Sequence, residues 1–219
     1  MFHAPAYIFD FDGVIADSMS MHMSAWSQAH QDIFGRELAQ LQRIAGLDSI
    51  KIARKLATEA QMADKWELFL AKKRSLVLDL VDTIELLPGA RDFLSHLQKS
   101  KVPHGICTNA TKAFIERVLG NHQILVPPHI TVDMVARPKP HPEPYLKAVE
   151  LLEVPLAQQS EVVVFEDSRH GLRAAKDAGL YCIGLSTMHS KEELISAGAK
   201  KVYTSLEEAL KHLQQNPKP

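Results

Sequence analysis

The chain has 219 residues, of which 46% are hydrophobic and 23% charged, and its formal net charge is −1. This composition excludes a disordered chain, and the balanced charge argues against a protein that mainly binds nucleic acid or an anionic membrane. The two cysteines, Cys107 and Cys182, exclude a disulfide scaffold and indicate a reducing compartment, although one disulfide between them is left open. No apolar run reaches the ~20 residues of a membrane span, and the first residues lack a signal-peptide pattern, so we expect a cytoplasmic protein.

Short apolar runs that end abruptly in polar residues are typical of strands buried on both faces of a parallel sheet. In chain order, the predicted strands lie at residues 7–9, 105–107, 162–165, 181–185 and 201–204. Helical periodicity follows Pro88, Thr111, Pro144 and Ser168. The alternation of strands and helices predicts βαβ units and therefore an α/β fold with a doubly wound, Rossmann-like parallel sheet.

Residues 14–87 break this alternation, because helical periodicity alone is found there. Apolar stripes begin near Met19, Ile50 and Trp66 and predict three helices. We expect an α-helical domain, residues 14–87, inserted after the first strand of an α/β core formed by residues 1–13 and 88–219. The alternative is a few extra helices packed onto the sheet.

Two carboxylates follow the first predicted strand, at the edge of a parallel sheet where ligands bind. Asp10 and Asp12 are two residues apart, so both point to the same face of an extended chain. Carboxylates this close repel each other unless a cation is present, and a hard divalent ion suits oxygen ligands. For this pair alone, an acidic turn at the start of a helix is an equally good interpretation.

Two further segments indicate an anion site. Thr108 and Asn109 end the second strand and offer a hydroxyl and a backbone amide to an anion, or else cap a helix. Lys139 lies among four prolines in seven residues, which stiffen the segment and restrict the ammonium. We interpret Lys139 as aimed at an anionic ligand, with a solvated surface loop as the alternative.

Glu166 and Asp167 follow the most apolar strand of the sequence. Acids that leave such a strand need a partner, and a metal ion shared with Asp10 would supply one. The alternative is that Asp167 or Ser168 caps the next helix. Each of these signals is weak alone, but all four are expected at one edge of the same sheet.

Four segments together resemble, in order and spacing, the four motifs of the haloacid dehalogenase superfamily. They are residues 10–14 (Asp-Phe-Asp-Gly-Val), Thr108-Asn109, Lys139-Pro140 and Glu166-Asp167-Ser168. The resemblance covers essentially the whole chain and is closest to the β-phosphoglucomutases and small sugar-phosphate phosphatases. It implies that residues 14–87 form the cap domain of that subgroup.

By matching position, the resemblance implies that Asp10 is a nucleophile that forms an aspartyl-phosphate. Asp12 would be the general acid for the leaving alcohol and then the base for water. The other implied sites are a phosphate site of Thr108, Asn109 and Lys139 and a Mg²⁺ site of Asp10, Asp12, Asp167 and Glu166, the last as a ligand or just behind the ligands.

The implied activity is Mg²⁺-dependent hydrolysis of a small phosphorylated metabolite such as a sugar phosphate. Asp12 argues for phosphoryl transfer, because the dehalogenases of the superfamily lack this second acid. A phosphosugar mutase like β-phosphoglucomutase is the alternative, and nothing supports a catalytically idle binding fold, since no motif residue is missing. Neither nucleic acid nor membrane is an expected partner.

Residues of the inserted domain separate the phosphatase from the mutase. Ser49 stands where the resemblance places an Arg that grips the second phosphate of a mutase substrate, which favours a phosphatase. His22 and Trp26 resemble the mutases instead. The expected substrate contacts of this domain are His22, Lys51 and Arg54.

Overall fold

A computed structural model describes residues 4–38 and 48–215 of the chain. The chain is divided into two compact units, one made of Met1–Asp17 with Glu85–Pro219 and the other of Ser18–Ile84. Among the described residues, no helix has the length and apolar composition of a membrane span. The assignment of the second unit as a cap stays a prediction.

The unit of residues 18–84 contains helices at each of the three predicted stripes. They are α1 (Met19–Phe34), α2 (Ser49–Glu59) and α3 (Trp66–Leu80). Phe69 lies at the centre of this unit, with its ring centroid 5.2 Å from that of Trp26 and 4.9 Å from that of Phe34. Apolar side chains of α2, such as Leu56, complete this small core. Helix α1 ends at Gly35, which has the left-handed conformation common at helix ends.

The other unit is built on a six-stranded parallel sheet, which confirms the predicted α/β fold. Its strands are β1 (Tyr7–Phe9), β2 (His104–Cys107), β3 (His129–Ile130), β4 (Val163–Glu166), β5 (Tyr181–Leu185) and β6 (Lys201–Tyr203). The strand order is β3-β2-β1-β4-β5-β6, with Ile8 of β1 opposite Gly105 of β2 and Val164 of β4. The order reverses at β1, so the crevice at its carboxyl end is the expected ligand site of a doubly wound sheet.

Helices precede or follow these strands along the chain. They are α4 (Ala90–Lys99), α5 (Lys112–Asn121), α6 (Glu143–Leu151), α7 (Arg169–Asp177), α8 (Lys191–Ala197) and α9 (Leu206–Gln215). Between the sheet and α4, the rings of Phe9 and Phe165 stack 5.2 Å apart, and Phe93 meets both edge-on at 5.3 Å. Cys107 and Cys182 are buried and free, so the disulfide that the sequence left open is not formed.

Strand β3 was not predicted from the sequence. It has two residues, His129 and Ile130, of which one is apolar, and it follows Pro127 and Pro128. A strand this short at the edge of a sheet has no periodicity to detect. Its pairing with Cys107 nevertheless fixes the end of β2, from which Thr108 emerges.

Candidate active site

Asp10 lies directly beyond the carboxyl end of β1, at the centre of the sheet. Its backbone N–H donates to the carbonyl of Phe165 at 2.9 Å, so the pairing with β4 continues to this residue. The Asp10 side chain is buried, whereas that of Asp12 is partly exposed. A tight turn follows, in which Gly13 has a φ of +77°, a conformation that favours glycine. The turn therefore leaves both carboxylates at the carboxyl edge of β1.

The ammonium of Lys139 lies at the centre of the candidate site. It donates to Asp10 Oδ1 at 2.9 Å, to Glu166 Oε1 at 2.6 Å and to the carbonyl of Cys107 at 2.6 Å. The side chain is 4% exposed, which excludes the solvated loop considered as the alternative. The stiff, proline-rich segment thus places a buried ammonium between the acid that follows β1 and the acid that ends β4.

Asn109 holds the backbone of Lys139. The Lys139 N–H donates to Asn109 Oδ1 at 3.1 Å, and Asn109 Nδ2 donates to the Lys139 carbonyl at 3.2 Å. Thr108 is buried, and its hydroxyl accepts from the Ala110 N–H at 3.0 Å. The helix that follows is capped at Thr111, so the interpretation of Thr108 as a helix cap is wrong. Both polar residues instead shape the loop beyond β2.

Glu166 is fully buried and is tied to its surroundings by several bonds. Besides Lys139, it accepts from the Tyr145 hydroxyl at 2.7 Å and from the Ser168 hydroxyl at 3.1 Å. Gly171 leaves the space that this carboxylate fills, because a Cβ atom at Gly171 would overlap it. The backbone of α7 therefore approaches Glu166 as closely as only glycine permits.

Asp167 lies against the turn that follows β1. Its carboxylate fills the space that a Gly13 side chain would need, and the Thr187 hydroxyl is 3.5 Å from Asp167 Oδ2. Ser168, not Asp167, caps the next helix, because its hydroxyl accepts from the Gly171 N–H at 3.0 Å. The alternative of Asp167 as a helix cap is therefore wrong.

Three carboxylates converge at this edge of the sheet. Oxygen atoms of Asp10, Glu166 and Asp167 all lie within 4.8 Å of one another, and the three residues are buried. Each offers the hard, anionic oxygen donors that divalent ions such as Mg²⁺ and Ca²⁺ prefer. The acids that the sequence predicted at one edge of the sheet therefore lie close together, and their oxygen atoms fit a hard divalent cation.

Electrostatics also favour a cation at this cluster. Burial raises the pKa of Asp10 to about 7, and Glu166 adds to this effect while Lys139 opposes it. Burial and the Asp10 carboxylate raise the pKa of Asp167 well above its usual value. Burial by itself lowers the pKa of Lys139, but Asp10 and Glu166 outweigh it and raise that pKa above its usual value. One ammonium does not balance three buried acids, so added positive charge stabilises their ionised forms.

The structure adds Tyr145 to the candidate site, a residue that lies in the helical periodicity predicted after Pro144. Its hydroxyl lies 3.0 Å from Lys139 Nζ, its ring centroid lies 4.6 Å from that atom, and the residue is fully buried. Burial raises the pKa of this phenol well above its usual value, with Glu166 contributing. The one sequence signal was a hydroxyl in an otherwise apolar stripe.

A family model described as haloacid dehalogenase-like hydrolase matches residues 7–185, which include all four of these segments. The chain belongs to this family. As a haloacid dehalogenase-like hydrolase, it has the fold that the resemblance implied, and the four segments of the candidate site all lie within the matched region.

Relatives of this haloacid dehalogenase-like hydrolase include phosphatases. It is 33% identical to validoxylamine A 7'-phosphate phosphatase of Streptomyces hygroscopicus subsp. limoneus, over 87% of this chain and 89% of that protein. It is 30% identical to β-phosphoglucomutase of Bacillus subtilis, over 82% of each chain. A hydrolase from Pseudomonas syringae has a similar structure, with a TM-score of 0.85, 26% identity and coverage of 96% and 98%. The predicted enzyme class, a phosphomonoester hydrolase, is confirmed.

In the helical unit of this hydrolase, the three residues expected to contact substrate have different surroundings. His22 Nδ1 lies 3.1 Å from the ammonium of Lys73, a buried lysine of α3. Lys51 and Arg54 are exposed on α2, and the Arg54 guanidinium lies 4.5 Å from the ring centroid of Trp66. Their contact with substrate stays a prediction.

Proposed function

We propose that this chain is a Mg²⁺-dependent phosphatase that hydrolyses a small phosphorylated metabolite, such as a sugar phosphate, through an aspartyl-phosphate on Asp10. The observation that carries the proposal is the buried Lys139 ammonium, which is bonded to Asp10 and Glu166 where these acids approach Asp167. A carboxylate nucleophile, a fixed cation beside it and a cluster of oxygen donors are the groups that transfer of a phosphoryl dianion requires.

In the proposed reaction, Asp10 attacks phosphorus while Asp12 gives its proton to the leaving alcohol oxygen. The phosphorus–oxygen bond to the alcohol breaks, and the phosphoryl group is then bound to the Asp10 carboxylate. Asp12, now ionised, accepts a proton from water as the water attacks phosphorus. The bond between phosphorus and the Asp10 oxygen then breaks, so inorganic phosphate leaves, Asp10 is again a carboxylate and Asp12 is again protonated.

Lys139 has two tasks in this proposal. Its ammonium offsets the repulsion between the phosphate dianion and Asp10, and it donates to the phosphoryl oxygens. Thr108 would hold a phosphoryl oxygen with its hydroxyl. Asn109 would line the same site, although its amide already forms two bonds with the Lys139 backbone, which support a positioning role as well.

The proposed Mg²⁺ ligands are Asp10, Asp167 and the carbonyl of Asp12. Once bound, the ion supplies positive charge where the phosphoryl group meets Asp10. Glu166 is bonded to Lys139, Tyr145 and Ser168, which supports a place just behind the ligands.

We further propose that the unit of residues 18–84 is a cap that selects the substrate through His22, Lys51 and Arg54. A mutase is the second candidate, and the 30% identity to β-phosphoglucomutase favours it. A cytoplasmic location is supported by the two free, buried cysteines.

Incubation with a panel of phosphate esters, with Mg²⁺ or with a chelator, tests the proposal. We expect free phosphate that requires Mg²⁺ and is absent with Asp10→Asn, since an amide is not a nucleophile for phosphorus. Isomerised product instead of phosphate would support the mutase. Folded protein that forms neither product would overturn both candidates, and activity restored by Zn²⁺ but not Mg²⁺ would contradict the oxygen-ligand assignment.

A further inference from the structure

We propose that Tyr145 is a positioning residue, whose hydroxyl holds the Lys139 ammonium and the Glu166 carboxylate so that Lys139 is directed at Asp10. The inference rests on the proposed function, because it assigns the hydroxyl a part in the phosphate-binding role of Lys139. Tyr145 lies in the first turns of α6, six residues after Lys139, and is fully buried.

The distances form a closed triangle. Lys139 Nζ and the Tyr145 oxygen are 3.0 Å apart, the Tyr145 oxygen and Glu166 Oε1 are 2.7 Å apart, and Glu166 Oε1 and Lys139 Nζ are 2.6 Å apart. An ammonium has no acceptor site, so the single phenol proton is donated to Glu166. The phenol oxygen therefore accepts from Lys139 and joins the cation to the acid.

The Lys139 ammonium has more hydrogen-bond acceptors around it than it has N–H groups to donate. Asp10 Oδ1, Glu166 Oε1, the Cys107 carbonyl and the Tyr145 oxygen all lie within 3.0 Å of this ammonium, which carries three N–H groups. Because the phenol donates to the same Glu166 oxygen, that oxygen competes less strongly for the ammonium. Without the hydroxyl, the bond from Lys139 to Glu166 would be stronger. The bond from Lys139 to Asp10 or to a phosphoryl group would then be weaker.

Packing does not explain the hydroxyl. The Tyr145 ring belongs to an apolar cluster with Ile8, Ala148 and Val149, which a phenylalanine ring would fill equally well. Burial of a hydroxyl costs free energy unless it is hydrogen-bonded, and here both bonds go to ionisable groups of the site. The hydroxyl therefore serves the Lys139–Glu166 pair.

The chain offers a matched control in Tyr203. This tyrosine is also buried, and its hydroxyl has no hydrogen-bond partner among the described residues. It lies on β6, the third strand from β1 in the sheet. Tyr203→Phe removes the same atom from a buried ring without touching the triangle.

The test compares wild type, Tyr145→Phe and Tyr203→Phe as purified full chains with Mg²⁺. Hydrolysis of p-nitrophenyl phosphate is measured by steady-state kinetics, and binding of inorganic phosphate by calorimetry, with thermal unfolding as the check on folding. For Tyr145→Phe we expect kcat/KM to fall roughly tenfold and the Kd of phosphate to rise by a similar factor. Tyr203→Phe should match wild type in both.

A Tyr145→Phe protein that unfolds more easily but keeps the wild-type kcat/KM and phosphate Kd has lost only stability, and that result overturns the inference while the proposed function stands. Equal losses in Tyr203→Phe would overturn it as well. Tyr145→Met, which keeps an apolar side chain, repeats the test if the phenylalanine variant does not fold. Wild type that neither hydrolyses the ester nor binds phosphate would overturn the proposed function first and this inference with it.

Discussion

Asn109 and Lys139, thirty residues apart in the chain, form a reciprocal pair of hydrogen bonds between one side-chain amide and one backbone peptide group. The Lys139 N–H donates to Asn109 Oδ1, and Asn109 Nδ2 donates to the Lys139 carbonyl. Two bonds of opposite direction fix the position of a peptide better than one, so the loop after β2 sets the starting point of the Lys139 side chain.

Asn109→Ala should therefore reduce activity through Lys139. Both bonds are lost and two backbone groups need new partners, which costs about 1–3 kcal/mol in unfolding free energy. We expect kcat/KM for p-nitrophenyl phosphate to fall at least about tenfold, since each 1.4 kcal/mol of transition-state stabilisation changes a rate tenfold. Steady-state kinetics together with thermal unfolding measure the two effects.

Gln159→Ala is the control for this variant. Gln159 also uses its side-chain amide to hold a backbone group, donating to the Ala178 carbonyl at 3.1 Å, but at the far end of α7. It should lose some stability and keep its kinetics. If Asn109→Ala and Gln159→Ala lowered stability equally and neither changed kcat/KM, the bonds to Lys139 would have no part in catalysis.

The strand ends allowed much of this site to be predicted from the sequence. Asp10, Thr108 and Glu166 follow apolar runs, and such runs stop where a buried parallel strand reaches the edge of its sheet. Lys139 follows no strand, so its place came from the resemblance of its segment to a family motif and from its neighbouring prolines.

Contacts between distant side chains could not be predicted in this way. In the sequence, Tyr145 is one apolar position of α6, and nothing local indicates that its hydroxyl meets Glu166 twenty-one residues later. The same holds for Lys73, whose apolar neighbours in α3 hide its contact with His22, fifty-one residues earlier. These contacts depend on how the helices pack, which periodicity does not specify.

Gly13→Ala should weaken metal binding through Asp167. A Cβ atom at Gly13 would overlap the Asp167 carboxylate, so this proposed Mg²⁺ ligand must move. We expect the Mg²⁺ concentration for half-maximal activity to rise roughly 10- to 100-fold, the usual effect of disturbing the groups around a metal site. Activity measured over a Mg²⁺ titration provides the value.

Gly179→Ala separates strain from displacement in that experiment. Gly179 has nearly the same positive φ, +78° against +77°, but among the described residues no atom beyond its chain neighbours lies within 4 Å of the Cβ position. Both variants should lose about 1 kcal/mol of unfolding free energy from backbone strain. A Mg²⁺ requirement that rose equally in both would show that strain, and not the position of Asp167, controls the metal.

Asp12→Asn should slow the reaction without preventing phosphate binding. An amide cannot deliver a proton to the leaving alcohol or take one from water, and a positioned acid or base contributes about 10²–10⁴-fold. Turnover should fall by that factor, while Asp10→Asn removes it altogether. Asp177→Asn, which changes an exposed carboxylate of α7 paired with Arg173, is the control and should be unaffected.

Acid quench during turnover locates the phosphoryl group. Phosphoenzyme that hydroxylamine cleaves is an acyl phosphate, as expected for Asp10. Label that survives the quench but resists hydroxylamine would place the phosphoryl group on a hydroxyl side chain and reject Asp10 as the nucleophile.

The last prediction separates the phosphatase from the mutase. A mutase must hold a bisphosphate, let it turn round and keep water away from the aspartyl-phosphate, which requires a cation for the distal phosphate group. Ser49 begins α2 without supplying one, and the residue before the helix, Asp48, caps it by accepting from the Ile50 N–H. We therefore expect release of phosphate to dominate and isomerisation of β-glucose 1-phosphate to be slow or absent.

Lys51 and Arg54 are the cations of α2 that would allow the opposite outcome. Each is changed to alanine, with Lys55→Ala as the control, because Lys55 is an exposed lysine of the same helix that pairs with Glu59 at 3.9 Å. As phosphatase residues, they should alter KM for individual esters by only a few fold, since exposed charges contribute roughly 1 kcal/mol or less. If wild type isomerised the sugar phosphate efficiently, and Lys51→Ala or Arg54→Ala abolished this while Lys55→Ala did not, the distal phosphate would have its cation on α2 and the enzyme would be a mutase.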